Sequence, residues 1–171
     1  MRYLVIVRHA KSAPAGVGEP DFHRILNGRG RKECRQLREW AIDPAALAQY
    51  GPVTALVSSA ARTRETFRRA FDGTDFVAGF EFQSSIYNGL HDVSGEDLLE
   101  ALVALDPVST SLMVVAHNPS VHELAELLAR KLPESLRRNY PLGGAYVLAL
   151  PDGERIGAGP YDVVASFVPE V

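Results

Sequence analysis

The chain has 171 residues, of which 46% are hydrophobic and 23% charged, and its formal net charge is −3. This length and composition predict a single domain over residues 1–171 with a core of its own. The slightly negative net charge argues against a broad positive surface of the kind that attracts polyanions, so we expect neither nucleic acid nor a membrane as a partner.

The first predicted element is a strand over residues 3–7, where the run YLVIV is short, continuous and rich in β-branched residues. Such a run is typical of a strand that is buried on both faces. It is too short for the apolar part of a secretory signal, and no other stretch reaches the apolar length that spans a bilayer. Cys34 is the only cysteine, which excludes an intrachain disulfide, so we expect a cytoplasmic protein.

Further along the chain, apolar strands alternate with helices. Residues 13–20 are rich in glycine and proline and predict a mobile loop, and two more short apolar runs predict strands. The predicted strands cover 53–57 and 112–116, and helical spacing predicts helices over 30–41, 61–71, 96–105 and 119–132. For the last of these helices, Asn118 is the expected N-cap and Pro119 the first helical residue.

Two later strands complete the predicted sheet, over residues 146–150 and 163–168. The sequence PDG at 151–153 between them is typical of a turn, so we expect these strands to extend the sheet in antiparallel fashion. The predicted fold class is α/β: a three-layer α/β/α sandwich around a mostly parallel mixed sheet. The segment 140–144 is interpreted as a turn before a strand, with a place at the rim of a pocket as the alternative.

Polar and cationic side chains follow the three central strands at the point where each strand ends. Arg8 and His9 follow the first, Arg62 and Arg64 lie just after the second, and the pair His117-Asn118 follows the third. In an open α/β sheet the ligand crevice lies outside the carboxyl ends of the strands, so these groups are expected to meet there.

Each of these groups has an ordinary structural explanation when it is taken alone. An Arg-His pair at a strand end can be surface charge, arginines in a first helical turn can be solvated, and a histidine after a strand can be a satisfied cap. The ordinary explanation must account for three coincidences separately, however. Their conjunction therefore favours a functional site.

The predicted ligand of this site is a phosphoryl group. No HExxH spacing and no carboxylate occur among the strand-end residues, and adjacent arginine repels a divalent cation, so we expect neither a metal nor another cofactor. Guanidinium groups pair bidentately with phosphate oxygens, which suits Arg8 and Arg62. His9 is the predicted nucleophile, its second ring nitrogen donating to a fixed acceptor, while His117, when protonated, donates to a phosphate oxygen beside the helix N-terminus at Asn118.

Four segments of the chain resemble the histidine phosphatase superfamily, also called the phosphoglycerate mutase-like fold, and within it the SixA-type phosphohistidine phosphatases. They are 8–12 (RHAKS), 21–30 (DFHRILNGRG), the stretch from Ser58-Ser59 to Arg62-Thr-Arg-Glu-Thr66, and 115–119 (VAHNP). The superfamily motif of the first strand is Arg-His-Gly, and Ala10 stands at its third position here. The resemblance implies that His9 accepts the phosphoryl group and that Arg8, Arg62 and His117 hold it.

The resemblance also places Asp21 and Arg24 in a loop near the mouth of the pocket, whereas the residues alone indicate only a charged pair before a helix. Larger branches of the superfamily carry a glutamate that protonates an oxygen leaving group. In the region 87–92 the candidates for this acid are Asp92 and His91, with Glu96 beyond it as a third that also suits a first-turn helix charge after Ser94. Absence of such an acid would suit phosphohistidine, because a leaving imidazole takes a proton on its other ring nitrogen.

The predicted function is therefore that of a metal-independent SixA-type phosphatase acting on phosphohistidine in a protein or on a small phosphorylated molecule. A phosphomonoesterase or mutase for small phosphorylated metabolites is the alternative within the same fold, and the short chain, with few residues for a lid, argues against a mutase. From a different class, the chain could be a phosphate- or protein-binding module that has lost catalysis.

Overall fold

Six strands form a mixed sheet in the part of the chain that the computed structural model describes, residues 1–89 and 91–170. They are β1 (Arg2–Arg8), β2 (Val53–Ser58), β3 (Val77–Gln83), β4 (Ser111–Ala116), β5 (Ala145–Leu150) and β6 (Val163–Phe167). Their order across the sheet is β3-β2-β4-β1-β5-β6. The pairs between β1, β2, β3 and β4 are parallel, whereas β5 runs antiparallel to both β1 and β6, which confirms the predicted mixed sheet.

Helices cover both faces of this sheet. They are α1 (Gly28–Ile42), α2 (Ala61–Ala70), α3 (Gly95–Leu105) and α4 (Ser120–Leu128). Val5 and Val7 of β1 contribute to the core under α1 and α2, while Leu4 and Ile6 contribute to the core under α3 and α4. This alternation, with all four side chains fully buried, confirms the predicted three-layer α/β/α architecture. No helix among residues 1–89 and 91–170 combines the length and apolarity needed to cross a bilayer.

The prediction for α4 was wrong at both ends. The helix begins at Ser120, and its N-cap residue is Pro119, which makes no side-chain capping bond. Asn118 does not cap the helix, because its side-chain amide donates to the side chain of Asn139. The helix ends at Leu128 instead of continuing to residue 132, because the chain turns away to pair with Tyr161. The Tyr161 amide donates to the Leu128 carbonyl at 2.7 Å, and the Arg130 amide donates to the Tyr161 carbonyl at 2.8 Å.

The edge strand β3 has no counterpart among the predicted strands. Its sequence VAGFEFQ contains Gly79 and alternates apolar and polar residues instead of forming a continuous apolar run. The strand is exposed along much of its length, and Phe80 is 48% exposed. A strand at the edge of a sheet needs only one buried face, so it lacks the apolar signal that marks the central strands.

Candidate active site

The carboxyl ends of β1, β2 and β4 converge on one cavity of about 190 Å³. Both β1 and β2 pair with β4, so the residues that follow these three strands are neighbours. The cavity walls include Arg8, His9, Arg24, Arg62, His117 and Asn118. The structure thus brings together the four residues predicted at the centre of the site. Arg24 and Asn118, predicted around them, lie in the same walls.

His9 is held in one orientation by its own loop. Its Nδ1 lies 2.7 Å from the carbonyl oxygen of Ala10, and the residue is 7% exposed. When Nδ1 donates to that carbonyl, the free lone pair of the neutral ring is on Nε2. The loop itself is fixed by two side chains from helices: the Ala10 amide donates to Thr66 Oγ1 at 3.0 Å, and the Lys11 amide donates to Glu33 Oε1 at 2.7 Å.

The two imidazoles of the cavity lie close together, with ring centroids 5.4 Å apart. Burial, with a smaller contribution from the charges of Arg62 and Arg8, lowers the pKa of His9 to about 3. Burial, together with His9 and Arg62, lowers the pKa of His117 to about 2. Both rings are therefore neutral near pH 7 in the free site, which suits His9 as a nucleophile and gives His117 one ring hydrogen instead of two.

His117 is positioned by a residue that the sequence analysis did not assign. Its Nε2 lies 2.7 Å from the hydroxyl of Ser58, the last residue of β2. When Ser58 donates to Nε2, the remaining hydrogen of the neutral ring is on Nδ1. That Nδ1 is buried and has no hydrogen-bond partner among the described residues.

Arg8 is held by the turn that precedes β5. Its Nη1 donates to the carbonyl oxygen of Tyr140 at 2.7 Å, and its backbone amide donates to the carbonyl of Gly144 at 3.1 Å. Leu142 of the same turn lines the cavity. The segment 140–144 is therefore both a turn and part of the pocket rim. Arg8 Nε is buried and has no partner in the described part of the chain.

Arg62 is aligned by Asp21, which lies in a 3-10 turn at Asp21–His23. Arg62 donates from Nη1 to the Asp21 carbonyl at 3.0 Å and from Nη2 to its Oδ2 at 3.1 Å. Arg24 donates to the other carboxylate oxygen at 2.9 Å and to Ser12 Oγ at 2.7 Å. Partial burial raises the pKa of Asp21, but hydrogen bonds from Tyr87 and Arg24 and the charge of Arg62 outweigh it and lower the pKa to about 2. Asp21 is therefore an ionised residue that orients the arginines.

The structure does not bring the candidate acid Asp92 to His9. Asp92 is exposed and lines a different cavity, together with Asp97 and Glu100. The neighbouring Val93 is buried in the core, which leaves Asp92 on the outside. Glu96 is also exposed, in the first turn of α3 behind the Ser94 cap, where its charge suits the helix terminus. Asp92 therefore lies outside the walls of the His9 cavity.

Tyr87 is a second residue of the site that the sequence analysis left without a role. Its hydroxyl donates to Asp21 Oδ2, and its ring centroid lies 5.5 Å from that of His117. The guanidinium carbon of Arg62 lies 5.8 Å from the same ring. Tyr87 follows β3, the strand without a predicted counterpart, so no sequence pattern placed it near the cavity. His91, the other candidate of this region, lines a larger cavity next to the first.

Among residues 1–89 and 91–170, no group of three or more His, Cys, Asp or Glu side chains is placed to hold a metal ion. The charged residues that line the cavity with His9 are Arg8, Lys11, Arg24 and Arg62, all of them cationic. This donor set suits an anion.

The free energy of unfolding is expected to fall as the pH is lowered from 7.5 to 5. The folded-state pKa values of His9 and His117, about 3 and about 2, lie below the ordinary value of 6.5. The unfolded chain therefore binds protons first, and stability present above pH 6.5 is lost as the pH falls toward 3. At pH 5 the loss is roughly 2 kcal/mol for each ring. Urea unfolding at the two pH values measures it. The double variant His9→Asn/His117→Asn should lose most of this dependence, and an unchanged stability of the parent would contradict the prediction.

Comparisons with known proteins identify solved structures that are similar over the whole chain. A candidate phosphohistidine phosphatase SixA from Agrobacterium tumefaciens is 25% identical, with a TM-score of 0.74, covering 98% of this chain and 99% of its own. A second, from Nakamurella multipartitia, is 21% identical with a TM-score of 0.76, covering 99% and 97%. A phosphoserine phosphatase from Entamoeba histolytica, in complex with 3-phosphoglyceric acid, is 10% identical with a TM-score of 0.64, covering 99% and 98%.

Sequence comparisons gave no match: no family profile and no curated protein matches this chain. The structural matches nevertheless extend over nearly the full length of both partners in each comparison. They confirm the predicted α/β fold and the resemblance to the phosphoglycerate mutase-like proteins.

Proposed function

We propose that this chain, a histidine phosphatase superfamily protein by its fold, is a metal-independent phosphatase whose residues 1–171 form one domain. One observation carries the proposal: Arg8 Nε and His117 Nδ1 are buried polar atoms without partners among the described residues, in the walls of the cavity that contains neutral His9. Buried polar groups are ordinarily hydrogen-bonded. A tetrahedral oxyanion in this cavity would supply the acceptor oxygens.

The proposed reaction has two steps at phosphorus. In the first, His9 Nε2 attacks the phosphorus, the N–P bond forms, and the bond to the leaving group breaks with its electron pair. The hydrogen on Nδ1 stays in its bond to the Ala10 carbonyl. In the second, the oxygen of a water molecule joins the phosphorus and the N–P bond breaks. The proton given up by the water leaves with inorganic phosphate, and neutral His9 is restored.

The cavity residues stabilise the charge that spreads over the equatorial oxygens. Arg8 and Arg62 are held by Tyr140 and Asp21 before the substrate arrives, so they need little rearrangement to bind phosphate oxygens. His117 donates from Nδ1 because its Nε2 is engaged with Ser58. Arg24 and Asn118 lie at the edge of the cavity. Asp21 acts by orienting Arg62 and Arg24.

The proposed substrate is phosphohistidine in a protein, the substrate class named for the SixA proteins of the same fold. Support comes from the two described carboxyl groups considered as proton donors for an oxygen leaving group, neither of which is both placed at the cavity and protonated. Asp92 lines another cavity, and Asp21, whose pKa is about 2, is ionised near pH 7. An alkoxide needs such a donor, whereas a leaving imidazole takes up a proton on its other ring nitrogen near neutral pH.

The proposed compartment is the cytoplasm. The lone Cys34 is buried, and burial raises the pKa of its thiol to about 12, as expected for a packed side chain with no disulfide partner.

A phosphoryl group is expected on His9 during turnover. The protein is mixed with phosphoimidazole, quenched in alkali within milliseconds and digested, and the His9 peptide is examined by mass spectrometry. We expect phosphate that survives alkali and is lost in acid, as a phosphoramidate on histidine should be. His23→Asn, which removes an exposed histidine outside the cavity, is the matched control and should label as the parent does.

Two outcomes would contradict the proposal. Turnover without labelled His9, or with the label elsewhere, would exclude the assigned nucleophile. Failure of both turnover and labelling, with inorganic phosphate still bound, would indicate the binding module that has lost catalysis.

A further inference from the structure

A second and larger cavity, of about 800 Å³, adjoins the one that contains His9. Arg62 and Asn88 line both cavities, so the two spaces adjoin at these residues. The remaining walls of the larger cavity include Pro20, Phe22 and Tyr87. Because a phosphorylated substrate extends away from its phosphorus on the leaving-group side, a space next to the phosphate cavity is where that group would bind.

Two aromatic rings form one wall of this space, which we call the Phe22–Tyr87 wall. Their centroids are 5.0 Å apart and their planes meet at 77°, an edge-to-face arrangement. Tyr87 is fixed by its hydroxyl bond to Asp21 and lies against His117. The wall therefore extends from the larger cavity to the imidazole of His117 in the smaller one.

The charges beside this wall favour one class of leaving group. Asp21 is ionised and lies between the two rings and Arg62, and Arg62 also belongs to the phosphate cavity. A planar ring that takes up a proton on departure would meet two aromatic rings and a carboxylate, and both kinds of group favour a cation.

We propose that the Phe22–Tyr87 wall binds the leaving group and selects a planar nitrogen ring, such as imidazole, over an alkyl group. The inference rests on the proposed phosphatase function and assigns the specificity of that site to Phe22 and Tyr87. Phe22 and Tyr87 are specificity residues here, distinct from the groups that hold the phosphoryl oxygens.

The test compares kcat/KM for phosphoimidazole with kcat/KM for ethyl phosphate. Their ratio in a variant, divided by the ratio in the parent, cancels the different intrinsic reactivities of the two compounds. In Phe22→Ala this quotient is expected to fall roughly threefold to tenfold, the range expected for losing one aromatic contact. Phe22→Leu keeps an apolar side chain without the ring and should also lower it, whereas Tyr87→Phe keeps the ring and should stay closer to the parent.

Phe80→Ala is the matched control, since Phe80 is an exposed aromatic residue of the edge strand and does not line either cavity. Inhibition by inorganic phosphate reports separately on the smaller cavity and is expected to change little in Phe22→Ala. Equal losses for both substrates in Phe22→Ala and Phe22→Leu would overturn the assignment while leaving the phosphatase intact. If the parent neither turns over phosphoimidazole nor labels His9, the proposed function fails and the leaving-group site fails with it.

Discussion

Replacing His9 by alanine is expected to lower kcat by roughly 10⁴- to 10⁶-fold, the loss typical of removing a covalent nucleophile. The reason is geometric as well as chemical. The Ala10 carbonyl fixes one ring nitrogen, so Nε2 is the atom left to attack. Single-turnover measurements with phosphoimidazole and with a generic phosphate ester give the rate of the chemical step directly.

The control for this variant is His23→Ala, because His23 is exposed in the 3-10 turn outside the cavity. Circular dichroism and phosphate binding establish that the His9→Ala protein is folded and that its pocket is formed. A folded His9→Ala protein that hydrolyses either substrate at the parental rate would contradict the assignment of His9 as the nucleophile.

Arg62→Lys is expected to lower kcat/KM by roughly 10²- to 10³-fold, even though the charge is kept. A guanidinium can hold phosphate oxygens and Asp21 at the same time, because its five N–H donors lie in a planar fork. Arg62 uses Nη1 and Nη2 toward Asp21, and its remaining N–H groups have no hydrogen-bond partner among residues 1–89 and 91–170. A lysine ammonium has three donors around one point and cannot bridge both partners in this way.

Arg64→Lys provides a matched control on the same helix. The Arg64 guanidinium carbon lies 5.1 Å from the Phe82 ring centroid, and Arg64 does not line the His9 cavity. We expect activity within about twofold of the parent, as for most surface substitutions. Similar losses in Arg62→Lys and Arg64→Lys would show that the fork geometry of Arg62 is not what matters.

Arg62 and Arg64 also show which features of the site the sequence alone can predict. Both follow β2 by a few residues, and strand-end position predicts that either could reach the pocket. Positions two apart on a helix point in nearly opposite directions, so only one of them can. The structure buries Arg62 in the cavity wall and turns Arg64 toward the edge strand.

The central sheet and the cavity residues were predictable because their signals are local. Continuous apolar runs mark β1, β2 and β4, and the polar residues directly after them mark the edge where ligands bind. Ser58 and Tyr87 lacked such a signal for different reasons. The Ser58 hydroxyl acts through a contact with His117, 59 residues away in sequence, and Tyr87 follows an exposed edge strand whose pattern is weak.

The position of Asp92 outside the His9 cavity also depends on tertiary packing, which the sequence does not show. The sequence shows that an acidic residue is present in the expected loop. Whether its side chain faces the cavity depends on which neighbouring residue is buried. Val93 enters the core, and Asp92 is left facing solvent and other acidic residues.

The two imidazoles of the cavity are connected to helices on opposite faces of the sheet. The loop of His9 is tied by its amides to Glu33 of α1 and Thr66 of α2, whereas His117 leads into α4 on the other face of the sheet. The ring centroids are 5.4 Å apart, and the sheet between the two layers sets this separation, with Ser58 of β2 holding His117. Repacking of either helical layer, even at a site remote from the cavity, would change this separation and with it the fit of the phosphoryl group. The proposed catalysis therefore depends on how the two helical layers pack against the sheet.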